Sequence, residues 1–149
     1  MRIILLFIFL KSFYAFSEDK FQQYRKNLAL APNNKEVSFR MIKELENKPS
    51  DAKTLGYLGA FTMIKANHQI NPIQKLSSFN SGKKLLEKAI QQNSTDVELR
   101  YIRYAIQISI PKFLGYNSDL ATDKKIMQTN LATSETALQA DIKELLKVK

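Results

Sequence analysis

The sequence predicts an all-α protein of about seven helices, and three observations lead to that prediction. Apolar residues recur with a period near 3.6, which places them on one face of a helix. No stretch has the alternating pattern of a strand, and no Asn-Gly or Asp-Gly pair marks a hairpin. Prolines and cap-forming residues separate the periodic stretches. The predicted helices cover about 18–31, 35–47, 51–67, 72–92, 95–109, 118–131 and 134–147.

The starts of three helices are predicted from residues whose side-chain oxygens can accept hydrogen bonds from the free N–H groups of a first helical turn. Ser50 or Asp51 is expected to cap helix three, and Asn71, which precedes a proline, to cap helix four. Ser94 or Thr95 is expected to cap helix five. Short loops between such helices are typical of helical hairpins.

Helix five (about 95–109) is apolar nearly all round, which predicts that it lies at the centre of the domain. Helices three and four are expected to approach each other closely, because Gly59 and Gly82 fall inside them. Glycine is unfavourable within a helix unless a neighbour needs the space. Gly115 follows a short connection after helix five and is expected to adopt a positive φ.

Residues 1–17 have the pattern of a secretory signal peptide. A cationic start precedes the apolar run 3–10, and the small residues Ala15 and Ser17 occupy the −3 and −1 positions of a cleavage site. The run is far shorter than the roughly 20 residues that span a bilayer. We therefore expect cleavage after Ser17, a periplasmic or secreted protein, and one helical domain over 18–149.

Charge and composition limit the classes of function. The 149-residue chain has a formal net charge of +9, no cysteine and one histidine, so disulfide scaffolds, cysteine nucleophiles and histidine-rich metal sites are disfavoured. No phosphate-binding glycine loop or Ser–His–Asp signature is present, and we expect no cofactor. Export argues against nucleic acid as the partner of this charge. An acidic protein or an anionic envelope surface, including weak membrane association, is favoured, unless the lysines simply solvate the surface.

Arg100, Arg103 and Gln107 form a polar stripe on the otherwise apolar helix five. Arginines on a buried helix must pair with acids or line a groove, because an unpaired buried charge is costly. We expect ion pairs, with a groove for a carboxylate or a peptide terminus as the alternative. The acids available for pairing are Glu87, Glu98 and Asp123, and Glu98 also suits the first turn of helix five.

Asp119 and Asp123 are four residues apart near the start of helix six. Paired carboxylates can perform acid–base chemistry or bind a cation. Acids also stabilise helix N-termini, so we expect Asp119 to cap the helix and Asp123 to form an internal ion pair. His68 is expected to pack at the end of helix three. An aromatic set could line a concave face but is expected in the core: Tyr57, Tyr101, Tyr104, Tyr116, Phe61, Phe79 and Phe113.

Two helical hairpins resemble the tetratricopeptide repeat (TPR). Residues 28–34 resemble the exit of its second helix, and Leu55, Leu58 and Gly59 resemble the signature of its first helix. Residues 82–94 resemble its second helix, although about 11 residues more than the 34-residue repeat allows intervene. The resemblance implies a TPR-like helical pair. The block from Leu55 through Tyr116 also resembles small exported bacterial helical proteins of unknown function, which implies fold and export but no activity.

These observations predict an exported interaction module rather than an enzyme. We expect it to bind a protein or peptide in a groove between helices three, four and five. One alternative is a structural cell-envelope protein that uses its charge. A second alternative is a small acid–base hydrolase built around Asp119, Asp123 and His68.

Overall fold

The computed structural model describes residues 20–48 and 51–148. Within these residues there are seven α-helices and no strand, which confirms the all-α prediction. The signal-peptide prediction lies outside the described residues. No helix in the described part of the chain is long and apolar enough to cross a membrane. The helices are α1 (20–30), α2 (Lys35–Glu46), α3 (Ala52–Lys65), α4 (Pro72–Gln92), α5 (Val97–Ser109), α6 (Leu120–Thr129) and α7 (Thr136–Leu145).

Side-chain caps fix the starts of most of these helices. The Asp51 carboxylate accepts a hydrogen bond from the Thr54 N–H at 3.0 Å, and the Asn71 side chain accepts one from the Ile73 N–H at 2.9 Å. The predicted cap of α5 is wrong: Asp96 accepts from the Leu99 N–H at 3.1 Å. Ser94 and Thr95 lie in the turn that precedes the helix, too early to reach its free N–H groups.

Two apolar clusters meet at α5, in agreement with its predicted central position. The larger cluster fills the space among α1 to α5, around fully buried Tyr57 and Leu99. The smaller one joins α5 to α6 and α7 through four side chains: Tyr104, Met127, Leu138 and Ile142. Since α5 contributes to both clusters, it ties the C-terminal helices to the rest of the fold.

The backbones of α3 and α4 come into direct contact at Gly59 and Gly82, as their positions in the sequence predict. A Cβ atom on Gly59 would lie 2.6 Å from the backbone nitrogen of Leu86 and 2.7 Å from the carbonyl oxygen of Gly82. Real Cβ atoms do not approach backbone atoms so closely, so only glycine fits. Gly115, with φ of 63°, also has the predicted left-handed conformation and ends the 3-10 turn Lys112–Leu114.

Candidate functional site

The arginine stripe of α5 is held in a buried ion pair. Arg103 donates from Nε to Asp123 Oδ2 at 2.7 Å and from Nη2 to Asp123 Oδ1 at 2.8 Å. Arg100 adds a longer hydrogen bond from Nη1 to Asp123 Oδ1 at 3.3 Å and donates to the Ser94 carbonyl at 2.6 Å. Asp123 is fully buried. The two-pronged Arg103 contact has the geometry of a strong structural ion pair, and these arginines do not line a groove.

Two further acids, at the edge of this ion pair, also contact the Arg103 guanidinium. Its Nη1 lies 3.0 Å from Glu87 Oε2, and its Nη2 lies 3.4 Å from Asp119 Oδ1. Asp119 also accepts from Gln107 Nε2 at 3.3 Å. Its predicted capping role is wrong, because its side chain makes no capping hydrogen bond. With Asp123 buried and Asp119 engaged by Arg103, the carboxylate pair has the arrangement of a structural network rather than of an acid–base site.

The electrostatics of the network favour the charged guanidinium. Burial alone would lower the pKa of Arg103, but hydrogen bonds and charge from Asp123 outweigh burial and raise the pKa above its ordinary value. The Tyr116 hydroxyl donates a hydrogen bond to Glu87 Oε1. Burial and that hydrogen bond raise the pKa of Tyr116, so its hydroxyl stays protonated.

A second buried ion pair, centred on Arg25, was not predicted from the sequence. Arg25 donates from Nη1 to Glu98 Oε1 at 2.6 Å and from Nε to Asp141 Oδ2 at 2.5 Å, and the Tyr57 hydroxyl donates to Glu98 Oε1 at 2.6 Å. Glu98 was proposed from the sequence as a partner of the arginine stripe. This is wrong, because Glu98 pairs with Arg25 instead. It also lies 3.3 Å from the ammonium of Lys53. Through these contacts Arg25 joins α1 to α5 and α7.

The raised pKa of Tyr101 predicts a loss of stability at alkaline pH. Burial raises the pKa of Tyr101 to about 12, with a further contribution from Asp141. As pH rises above 10.0, the unfolded chain therefore loses this proton before the folded protein does. The contribution of Tyr101 to the free energy of unfolding is fully present below that pH and is lost between pH 10 and about 12. In urea unfolding over this range, Tyr101→Phe should lose stability less steeply than the wild type, and equal slopes would contradict the assignment.

The described residues enclose an apolar cleft of about 650 Å³ between the end of α1, α3, α4, α5 and the 3-10 turn Lys112–Leu114. Its volume falls within the roughly 300–1,000 Å³ typical of binding sites. Lys75 is its one charged lining residue, and none is acidic. The lining includes Leu28, Ile64, Leu76, Phe79, Ile106 and Phe113. We call this feature the apolar cleft.

Large apolar side chains in the lining of the apolar cleft, and in the chain segment beside it, are exposed to solvent. Residues 72–77, at the start of α4, are all exposed; Leu76, which lines the cleft, is 53% exposed, and Ile73 is 79% exposed. Phe113 is 86% exposed on the opposite chain segment, and Ile70 is 96% exposed just before α4. Exposed apolar side chains grouped around a cleft are characteristic of a binding surface.

Of the polar stripe of α5, its proposed acidic partners and the tyrosines Tyr57, Tyr101 and Tyr104, only Tyr101 borders the apolar cleft. Tyr57 and Tyr104 are buried in the core, and the polar candidates Glu98, Arg100, Arg103, Gln107 and Asp123 are buried with them. His68 packs at the end of α3, where its Nε2 donates to the Ala31 carbonyl at 2.7 Å.

A groove between α3, α4 and α5 was expected from the sequence, and three members of the aromatic set, Phe79, Tyr101 and Phe113, line the cleft. The expectation that the set lies in the core is wrong for Phe113, which is 86% exposed. A usable signal was present at the start of α4. Ile73 and Leu76 are large apolar residues that precede the buried residues of α4, which run from Phe79 to Ile90.

Comparison with known proteins adds no relative: the chain matches no protein family, no curated protein and no solved structure at a significant level.

Proposed function

We propose that this protein is a binding module that holds an apolar segment of a protein or peptide partner in the apolar cleft. The observation that carries the proposal is the exposure of two large apolar side chains that line the cleft, Leu76 and Phe113, beside the exposed Ile70 and Ile73 of the adjoining segment. Burying one such side chain against a partner contributes about 1.5–3 kcal/mol. A partner that covers several of them gains enough to offset the entropy lost on association.

The rest of the fold supports this role by keeping the cleft walls in place. The Gly59–Gly82 contact fixes α4 against α3, and the Arg103–Asp123 pair fixes α6 against α5. A preformed site avoids the cost of ordering the protein when the partner binds. The signal-peptide pattern of residues 1–17 favours a periplasmic or extracellular partner. We also propose that helices of this domain form a TPR-like pair, on the sequence resemblance described above.

A photo-crosslinker at the cleft mouth tests this function. With p-benzoylphenylalanine in place of Phe113, irradiation in the native cells should attach a partner peptide that mass spectrometry can map. Adding Leu76→Glu, which places a charge in the mouth at an exposed position, should abolish the adduct while leaving stability within about 0.5 kcal/mol.

Phe39 supplies the control, because it is an exposed apolar residue (38%) on α2, and α2 contributes no residue to the cleft lining. Phe39→Glu should leave the adduct at position 113 unchanged. An adduct that forms equally in the Leu76→Glu variant would contradict binding in the apolar cleft, and so would the absence of any adduct.

A further inference from the structure

The two chain segments that form most of the apolar cleft carry charges of one sign, and Glu144, next to the lining residue Leu145, pairs with Lys147. Lys75 lines the cleft, and Lys112 directly precedes Phe113 at its mouth. The two segments that form most of the cleft, 52–86 and 99–118, contain no Asp or Glu. Arg100 and Arg103 in the second segment already pair with Asp123. Lys75 and Lys112 are not among the lysines that form ion pairs within the described residues, which are Lys48, Lys53 and Lys147.

The cleft also limits the backbone conformation of its occupant. The described part of the chain has no strand, so an extended peptide finds no sheet edge with which to form main-chain hydrogen bonds. The lining offers few polar partners, among them Asn67 and Ser109. Backbone groups that enter an apolar site without hydrogen bonds are strongly disfavoured. A helix avoids this cost because its backbone hydrogen bonds are internal.

We propose that the partner segment is an amphipathic helix whose apolar face fills the apolar cleft and whose flanks carry Asp or Glu opposite Lys75 and Lys112. This inference rests on the proposed function and specifies the chemistry of the partner. Apolar residues at i, i+3 or i+4, and i+7 give such a helix one face for the cleft. A flat anionic membrane would match the charges, but it fits the recessed lining less well, where Phe79 is only 6% exposed.

A display selection with random peptides of about 16 residues, or about 24 Å as a helix, tests the inference directly. The protein without the predicted signal peptide, residues 18–149, is immobilised, and its Leu76→Glu variant is immobilised in parallel. Peptides enriched on the wild type and not on the variant should have a helical apolar period and a net negative charge. Circular dichroism should show that a representative peptide gains helix on binding.

Charge reversal then separates the two lysines from the overall charge of the protein. The double variant Lys75→Glu/Lys112→Glu should weaken binding of that peptide at least about tenfold, because attraction at both lysines becomes repulsion. The double variant Lys124→Glu/Lys125→Glu, at exposed positions on α6, makes the same change in net charge and should alter binding less than about twofold.

The possible outcomes distinguish this inference from the proposed function. Suppose that peptides are enriched on the wild type and not on Leu76→Glu, but are neutral, basic or extended. This result would overturn the inference of an acidic helical partner and leave the proposed function standing. The same peptides enriched on the wild type and on Leu76→Glu would overturn both. Both would also fall if no peptide depended on the cleft while vesicles of phosphatidylglycerol and phosphatidylcholine (about 3:7) bound the wild type and not Phe113→Ser.

Discussion

Replacing Arg103 by Met is expected to lower the free energy of unfolding by about 3–5 kcal/mol, because it leaves a buried carboxylate without its main partner. Asp123 is fully buried, and Arg103 supplies its two shortest hydrogen bonds. Urea unfolding followed by circular dichroism measures the loss. Arg100→Met should cost less, because Arg100 contributes one hydrogen bond to Asp123, at 3.3 Å.

A double-mutant cycle identifies the cause of this loss. Asp123→Asn removes the charge that Arg103 neutralises, so the further cost of Arg103→Met should shrink in that background. If the two substitutions were additive, or if Arg103→Met were nearly neutral, the ion pair would not hold α6 against α5.

Gly59→Leu is expected to destabilise the protein by about 3 kcal/mol or more, at the upper end for overpacking, because the obstruction is backbone rather than a side chain that can move. Its Cβ alone would lie 2.6 Å from the Leu86 nitrogen. The thermal midpoint and the free energy of unfolding both report the loss.

Ser81→Leu is the matched control for the glycine contact, since it adds a leucine at an exposed position of α4 beside Gly82. It should change stability by no more than about 0.5 kcal/mol. Gly56→Ala should be milder than Gly59→Ala, because its new Cβ meets the far end of the Leu99 side chain rather than backbone. An unchanged midpoint in Gly59→Leu would mean that α3 and α4 do not meet at this residue.

Local patterns in the sequence were enough to predict the helices. The spacing of Tyr57 and Phe61 placed one face of α3 in the core, and Asn71 marked the start of α4. These features depend on neighbours a few residues away. The cap of α5 was misplaced because Ser94, Thr95 and Asp96 are all good capping residues, and only the backbone conformation decides among them.

Contacts between distant parts of the chain could be predicted only in part. Ion pairing of the arginines with acids was expected because a buried helix with arginines requires such partners. Of the three acids considered, Asp123 and Glu87 pair with the stripe and Glu98 pairs with Arg25. Arg25 was missed because it lies in a polar stretch of α1 and meets Glu98, which is 73 residues away. A groove between α3, α4 and α5 was expected, but the cleft is also lined by Leu28, Phe113 and Leu145, which lie outside these helices and whose meeting periodicity does not determine.

Methyl NMR of the protein with the partner peptide crosslinked at position 113 tests the central claim most directly. If the partner occupies the apolar cleft, the methyl signals of Leu28, Ile64 and Ile106 should shift on binding, because these side chains line it. Those of Leu138 and Ile142, in the second core cluster, should not move. Shifts centred on Leu138 and Ile142, with the cleft methyls unchanged, would contradict the claim.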